Sequence, residues 1–223
     1  MSEVNHLDKT KRYADQRELH LEFMQKHLTV ESDSVWVDLG CGLGELLENM
    51  GDGSVWKYGL DQDPECVEIT REHVPSATVR VGDVEDSPYP DDFANLSTSL
   101  FVLEHVENPT AHVRDALRIT KKGGRFIVAT PNIGRPQRLW YAVQKKERFE
   151  RSGHRQGYDH HLLYHLLTYN GWKVEKILTR FVDCPFYNRL PKWFGDYMSK
   201  NLLLTLFPNV GSELFAFCRK EDK

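Results

Sequence analysis

The chain has four cysteines in 223 residues, and no two of them form a C-x-x-C pair. Neither a zinc-binding framework nor a disulfide scaffold is signalled. Membrane-length apolar runs are also missing; LLLTLF at 202–207 stops at Pro208. The opening residues, MSEVNHLDKTKRYADQREL, are polar and lack the apolar centre of a secretory leader. There is no excess of positive charge: 29 Lys and Arg stand against 33 Asp and Glu, a net −4. Such a balance gives no global attraction to nucleic acid or an anionic membrane. Internal repeats and low-complexity stretches are absent as well. With 40% hydrophobic and 28% charged residues, the expectation is one cytoplasmic globular domain spanning 1–223.

What is present is concentrated at residues 35–47, VWVDLGCGLGELL. A buried-strand pattern with Val35 and Val37 ends in Asp38. Gly40, Gly42 and Gly44 follow, with Cys41 as a small filler between them, and a helical segment starts near Glu45. A strand, glycine turn and helix bring bare backbone close to a ligand, with helix N–H groups aimed at it. A dinucleotide site of the G-x-G-x-x-G type would put its third glycine at position 45, where this chain has Glu45. Acids at 38 and 45 suit a ligand with an amine better than a pyrophosphate. A second strand in VWKYGLDQDPECVEIT (55–70) ends in Asp61, with Asp63 as N-cap and Pro64 at the first helical position. Asp61, about 20 residues beyond the glycines, is placed to accept from ribose hydroxyls.

The succession VDLGCGLG, GLDQDP, GDVED, LFVLEHVENP and KKGGRFIVATPN resembles the class I S-adenosylmethionine (SAM)-dependent methyltransferases. The likeness is to their small-molecule branch, which includes the ubiquinone-biosynthesis O-methyltransferases and the methionine-biosynthesis-protein-W type. It covers roughly residues 34 to 132, and more weakly 154 to 180. It implies a Rossmann-like α/β fold, with seven strands in a mostly parallel sheet, the last antiparallel beside the fifth. Helices would cover both faces. Alternation of strands and helices points to the same architecture. Strands are expected near 34–39, 55–61, 77–82, 95–101, 124–130, 173–181 and 213–220. The resemblance implies SAM as cofactor and S-adenosyl-L-homocysteine as product. It implies a cofactor set of Asp38, Gly40, Cys41, Gly42, Gly44, Asp61 and Gln62, with Asp83 and Val84 at the adenine and Phe101 at the end of strand four. One departure is Ala94 and Asn95 in FANLSTSLFV, a fourth strand polar enough to leave its packing in question.

Residues 1–30 are expected to form a helical cap, with a helix over 10–29, and 34–130 the cofactor-binding core. The segments 131–158 and 184–211 read as substrate-side insertions. Between 135 and 155 five Arg and two Lys face two Glu, which suits either an anionic groove or a solvated helix with internal pairing. The aromatic segment 184–211 suits a substrate lid, a homodimer interface or a membrane contact. Tyr13, Trp140, His154 and Tyr158 are the substrate-side candidates. His161 and His165 lie one helical turn apart, and with His154 and His160 they raise the question of a metal. No Cys or Glu completes that set, so no metal is expected.

The turn after strand four lacks the [N/D]-P-P-[Y/F] grip for a planar amide and the Pro-Cys nucleophile of cytosine C5 chemistry. O-, N-, S- or C-methylation of a small molecule remains. His105, just past that strand, is the candidate general base, or a residue that only closes over the cofactor. The leading reading is a SAM-dependent methyltransferase with a small-molecule substrate and no nucleic-acid partner. The alternatives are an RNA or protein methyltransferase using 135–155, and a non-catalytic binding module on the same fold.

Overall fold

The computed structural model describes residues 20–135, 153–180 and 209–221. The first half of the expected 10–29 helix, and most of the segments 131–158 and 184–211, lie outside the described residues. Residues 20–27 are helical (α1). The strands are β1 Val35–Leu39, β2 Trp56–Asp61, β3 Ala77–Val81, β4 Ala94–Leu100, β5 Thr120–Pro131, β6 Trp172–Arg180 and β7 Glu213–Lys220. The remaining helices are α2 Glu45–Asn49, α3 Pro64–His73, α4 Pro109–Ile119 and α5 His160–Tyr169. Among the described residues no helix is long and apolar enough to cross a membrane.

The seven strands make one sheet in the order β3-β2-β1-β4-β5-β7-β6. The first five in that order run parallel. β7 is antiparallel to both β5 and β6. Strand alternation assigns residues to the two faces. On β7, Leu214, Ala216 and Cys218 enter one core cluster while Phe215 and Phe217 enter the other. The first cluster is closed by Val113, Ala116 and Ile119 of α4 and by Leu163 and Leu167 of α5. The second is closed by Met24, Leu47 and Val67 from α1, α2 and α3. Each long helix starts where a local cap directs it. Asp63 accepts from Glu65 N–H, Asn108 from Ala111 N–H and Asp159 from Leu162 N–H.

The polar fourth strand is satisfied residue by residue. Ser97, Thr98 and Ser99 are fully buried, and each hydroxyl has a partner across the sheet or on a helix. Ser97 pairs with Thr120 (2.8 Å), and Ser99 with His112 Nε2 (2.9 Å). Thr98 donates to Asp38 Oδ1 (2.5 Å) and accepts from Trp36 Nε1 (2.9 Å). Asn95 Oδ1 accepts from Val35 N–H and from Lys121 Nζ. Hydroxyls substitute for apolar packing here because every one has a buried partner.

The observed strands begin and end within one residue of the sequence expectation, except that β5 starts at Thr120 rather than 124. Gly123 therefore does not stop the helix; α4 has already ended at Ile119. Thr120 pairs with Ala94 and its hydroxyl caps the Ala116 carbonyl (2.7 Å). Gly123, at φ 72°, instead serves the register shift within the strand. Replacing Thr98 by Val leaves a buried indole N–H and a buried carboxyl without their shared partner. It should lower unfolding free energy by about 2–4 kcal/mol, whereas Thr98→Ser should lose less than about 1.5 kcal/mol. Urea denaturation compares the two, and equal losses would show that the hydroxyl is not what matters.

Candidate active site

The strand order reverses between β1 and β4, and in an open parallel sheet the ligand crevice lies beyond the carboxyl ends at that reversal. The glycine turn emerges there. A Cβ on Gly40 (φ 80°) would stand 2.2 Å from Val102 Cγ2, and one on Gly44 (φ 79°) 2.4 Å from Thr70 Cγ2. These two glycines let the turn pack against its neighbours. Gly42 (φ 53°) has no atom within 4 Å of its Cβ position, so its outer side is open space over bare backbone.

The turn is held at its centre. Gly42 N–H donates to Asp61 Oδ2 at 2.8 Å, while Gly42 C=O accepts from Thr70 Oγ1 at 2.8 Å. Gly40 and Cys41 N–H both donate to Leu60 C=O. Asp61 Oδ1 also accepts from Asp63 N–H at 3.0 Å. The half-exposed Asp61 thus ties strand end, glycine turn and helix start together. Cys41 is buried, and burial, then the charge of Asp38, pushes its thiol far up. It is an inert filler rather than a nucleophile. Asp38 is 4% exposed, and burial pushes its carboxyl up to about 7; the Thr98 hydroxyl opposes that rise and Asp61 adds to it.

Around the mouth, Gln62 and Asp83 are exposed and Val84 is buried. Asp83 Oδ1 accepts from Glu85 N–H, and Glu85 Oε1 accepts from the N–H groups of Glu107 and Asn108. Buried His112 bridges Val84 C=O (3.0 Å) and the Ser99 hydroxyl. A carbonyl only accepts, so Nδ1 carries the proton, and burial holds the ring neutral by lowering its pKa. Phe101 ends β4 in left-handed backbone (φ 59°) and stacks on His20 with centroids 4.5 Å apart. Such strain in a non-glycine residue clusters at functional sites.

His105 is exposed, with Nδ1 3.2 Å from Gly153 C=O. Its ring lies edge-on to His154, centroids 4.9 Å apart. Burial, then His105, lowers the pKa of His154. Tyr158 is 6% exposed and donates to Gln156 Oε1; burial, then Glu104, pushes its phenol up to about 12. Tyr13 and Trp140 lie outside the described residues. His160 and His161 sit together at the start of α5, while His154 is brought instead to Glu104 and His105. Thr70, Val102, Glu85, Glu104 and His112 were not singled out in the sequence. Thr70, three residues after Val67, reads there as an ordinary inward-facing helix position.

Residues 37–128 match the family model described as a methyltransferase domain. The chain is 33% identical over 120 residues to a ubiquinone biosynthesis O-methyltransferase of Xanthomonas euvesicatoria pv. vesicatoria, covering 51% of this chain and 49% of that protein. A probable S-adenosylmethionine-dependent methyltransferase of Mycolicibacterium smegmatis is 30% identical over 96 residues, 43% of this chain and 37% of that one. The chain thus spans about half the length or less of these curated relatives. Among solved structures, a methyltransferase in complex with the Haloferax volcanii Trm112 activator superposes at a TM-score of 0.73 with 21% identity, covering 96% and 95% of the two chains. A SAM-dependent methyltransferase of Thermotoga maritima gives 0.69 and 16%, covering 96% of each. Residues 37–128 thus match the methyltransferase-domain model, and the fold that carries them is the one shared by solved S-adenosylmethionine-dependent methyltransferases.

Proposed function

We propose that the protein transfers a methyl group from SAM to a small-molecule acceptor. The observation that carries this reading is the junction of Gly42 and Asp61. It holds open backbone beside a half-exposed carboxylate, with the second, buried acid Asp38 one strand over. That donor set fits a ligand bearing an amine, a sulfonium and ribose hydroxyls. When bound, SAM supplies an electrophilic methyl carbon: the acceptor's lone pair forms the new bond in line as the carbon–sulfur bond breaks to leave a thioether.

The protein's own work is then positioning and, for a hydroxyl acceptor, proton removal. Asp38 offers negative charge toward the amine, and the unused lone pairs of Asp61 take the ribose hydroxyls. Asp83, Val84, Gln62 and Phe101 frame the base. His105, exposed at the mouth, takes the proton of a hydroxyl acceptor. His154 and Tyr158 are assigned to the acceptor side; Tyr13 and Trp140, which lie outside the described residues, stay proposed substrate contacts from the sequence alone.

A second reading is a larger acceptor or a protein activator, favoured by the Haloferax neighbour solved with Trm112. The basic stretch from Arg135 to Arg155 would then contact the macromolecule. RNA retention that falls steeply with salt would support this reading. No retention at low salt leaves the small-molecule acceptor.

Calorimetric titration of the full chain with SAM tests the main reading. Asp61→Ala removes the acceptor of Gly42 N–H as well as the ribose partner, and Gly42→Val fills the open side. Each should weaken binding by at least ~100-fold, roughly 2.7 kcal/mol. Undiminished binding in both overturns the site.

Asp38 makes a separate prediction. Its folded pKa lies above its ordinary value, so the stability tied to its protonated form is complete near pH 4 and lost as pH rises through about 7. Asp38→Asn should therefore melt higher than the parent at pH 8, by on the order of 2 kcal/mol. The gap should close toward pH 4. The same variant should bind SAM at least ~10-fold more weakly at pH 8.

A further inference from the structure

Beyond the glycine turn, the chain folds a second set of chemistry-bearing groups into the same mouth. Glu104, His105 and His154 each offer one ligand-capable atom, and all three atoms lie within 4.8 Å of one another. The sequence separates His154 from the other two by about fifty positions, and the structure closes that distance with backbone. Arg155 N–H and Gln156 N–H both donate to Glu104 C=O, at 2.8 and 3.3 Å. Arg155 also pairs with Glu107 at 2.6 Å. The arm bearing His154 is thereby fastened directly onto the loop bearing Glu104 and His105.

Glu104 and His105 also have an orienting partner of the kind that metal ligands use. Glu104 is 2% exposed, and its Oε2 accepts from Thr130 Oγ1 at 3.2 Å. The His105 ring is held by Gly153 C=O. His154 meets His105 edge-on, which sets the two imidazoles side by side. The cluster starts two residues beyond Val102, the side chain that packs on Gly40. It therefore lies next to the cofactor turn.

We infer that Glu104, His105 and His154 form a divalent-cation site on the acceptor side of the cofactor mouth. One carboxylate with two imidazoles suits a borderline transition ion such as Zn²⁺, Mn²⁺, Fe²⁺ or Co²⁺ better than Mg²⁺ or Ca²⁺. Three protein ligands leave coordination positions for water or for an acceptor oxygen. A hydroxyl acceptor bound there loses its proton more readily, because the cation stabilises the oxyanion. With a cation bound, the proton-removing role proposed for His105 passes to the cation-activated hydroxyl itself, and His105 serves as a ligand. Acceptors carrying one or two adjacent hydroxyls are the class selected. This role in the reaction rests on the methyltransferase reading; the cation site itself does not.

The test uses the full chain after chelator treatment, titrated with Co²⁺ alone and followed by visible absorption, with SAM titrated separately by calorimetry. Saturable binding near one ion per chain is expected. His154→Ala and Glu104→Gln should weaken it by at least ~10-fold, the lower bound even for an outer partner. His161→Ala should leave it unchanged. His154→Ala is the decisive variant, because buried Glu104 also contributes to folding; circular dichroism checks both. No saturable binding, retention in His154→Ala, or loss in His161→Ala overturns the site. Co²⁺ binding without SAM binding would sink the methyltransferase reading and leave the cation site standing. SAM binding without Co²⁺ binding would do the reverse.

Discussion

A single buried hydroxyl, that of Thr98, holds the middle of this protein together. It sits opposite Asp38 in the register of β1 and β4, donating to that carboxylate and accepting from the Trp36 indole. A carboxyl with 4% exposure is costly to keep, and the hydrogen bond from Thr98 offsets part of that cost. The contact also spans the two parallel strands between which the strand order reverses, so the crevice lies where a polar triad links its walls.

From that link the site builds outward in two directions. Along β1 the chain turns on three left-handed glycines, and Asp61 anchors the middle one from the next strand. Along β4 the chain ends in strained Phe101 and runs into Glu104 and His105. His112 and Glu85 then stitch the loop of Asp83 and Val84 to the start of α4. Cofactor side and acceptor side thus share one structural origin. The family match over 37–128 covers both walls.

Features carried by near neighbours in the chain could be read from it. Asp63, Asn108 and Asp159 cap helices through bonds to residues two or three positions on, and the alternation in β7 assigns its two faces directly. Contacts across the sheet could not. The polarity of LSTS looked like a packing problem because its partners, Asp38, His112 and Thr120, come from three distant segments. The early start of β5 depends on Ala94, which no local glycine pattern can report. Glu104 was not singled out because its partner His154 lies about fifty positions away and is brought to it only by the fold.

The bond between Gly42 and Asp61 constrains what this scaffold can become. On the proposed reading, in which Asp61 also takes the ribose hydroxyls, it cannot be exchanged for another reader without loosening the turn itself. Drift toward a different nucleotide would thus require compensating change at the glycines in the same step. Exposed positions that hold no part of the turn face no such coupling. This scaffold is accordingly freer to vary at those positions than at the turn itself.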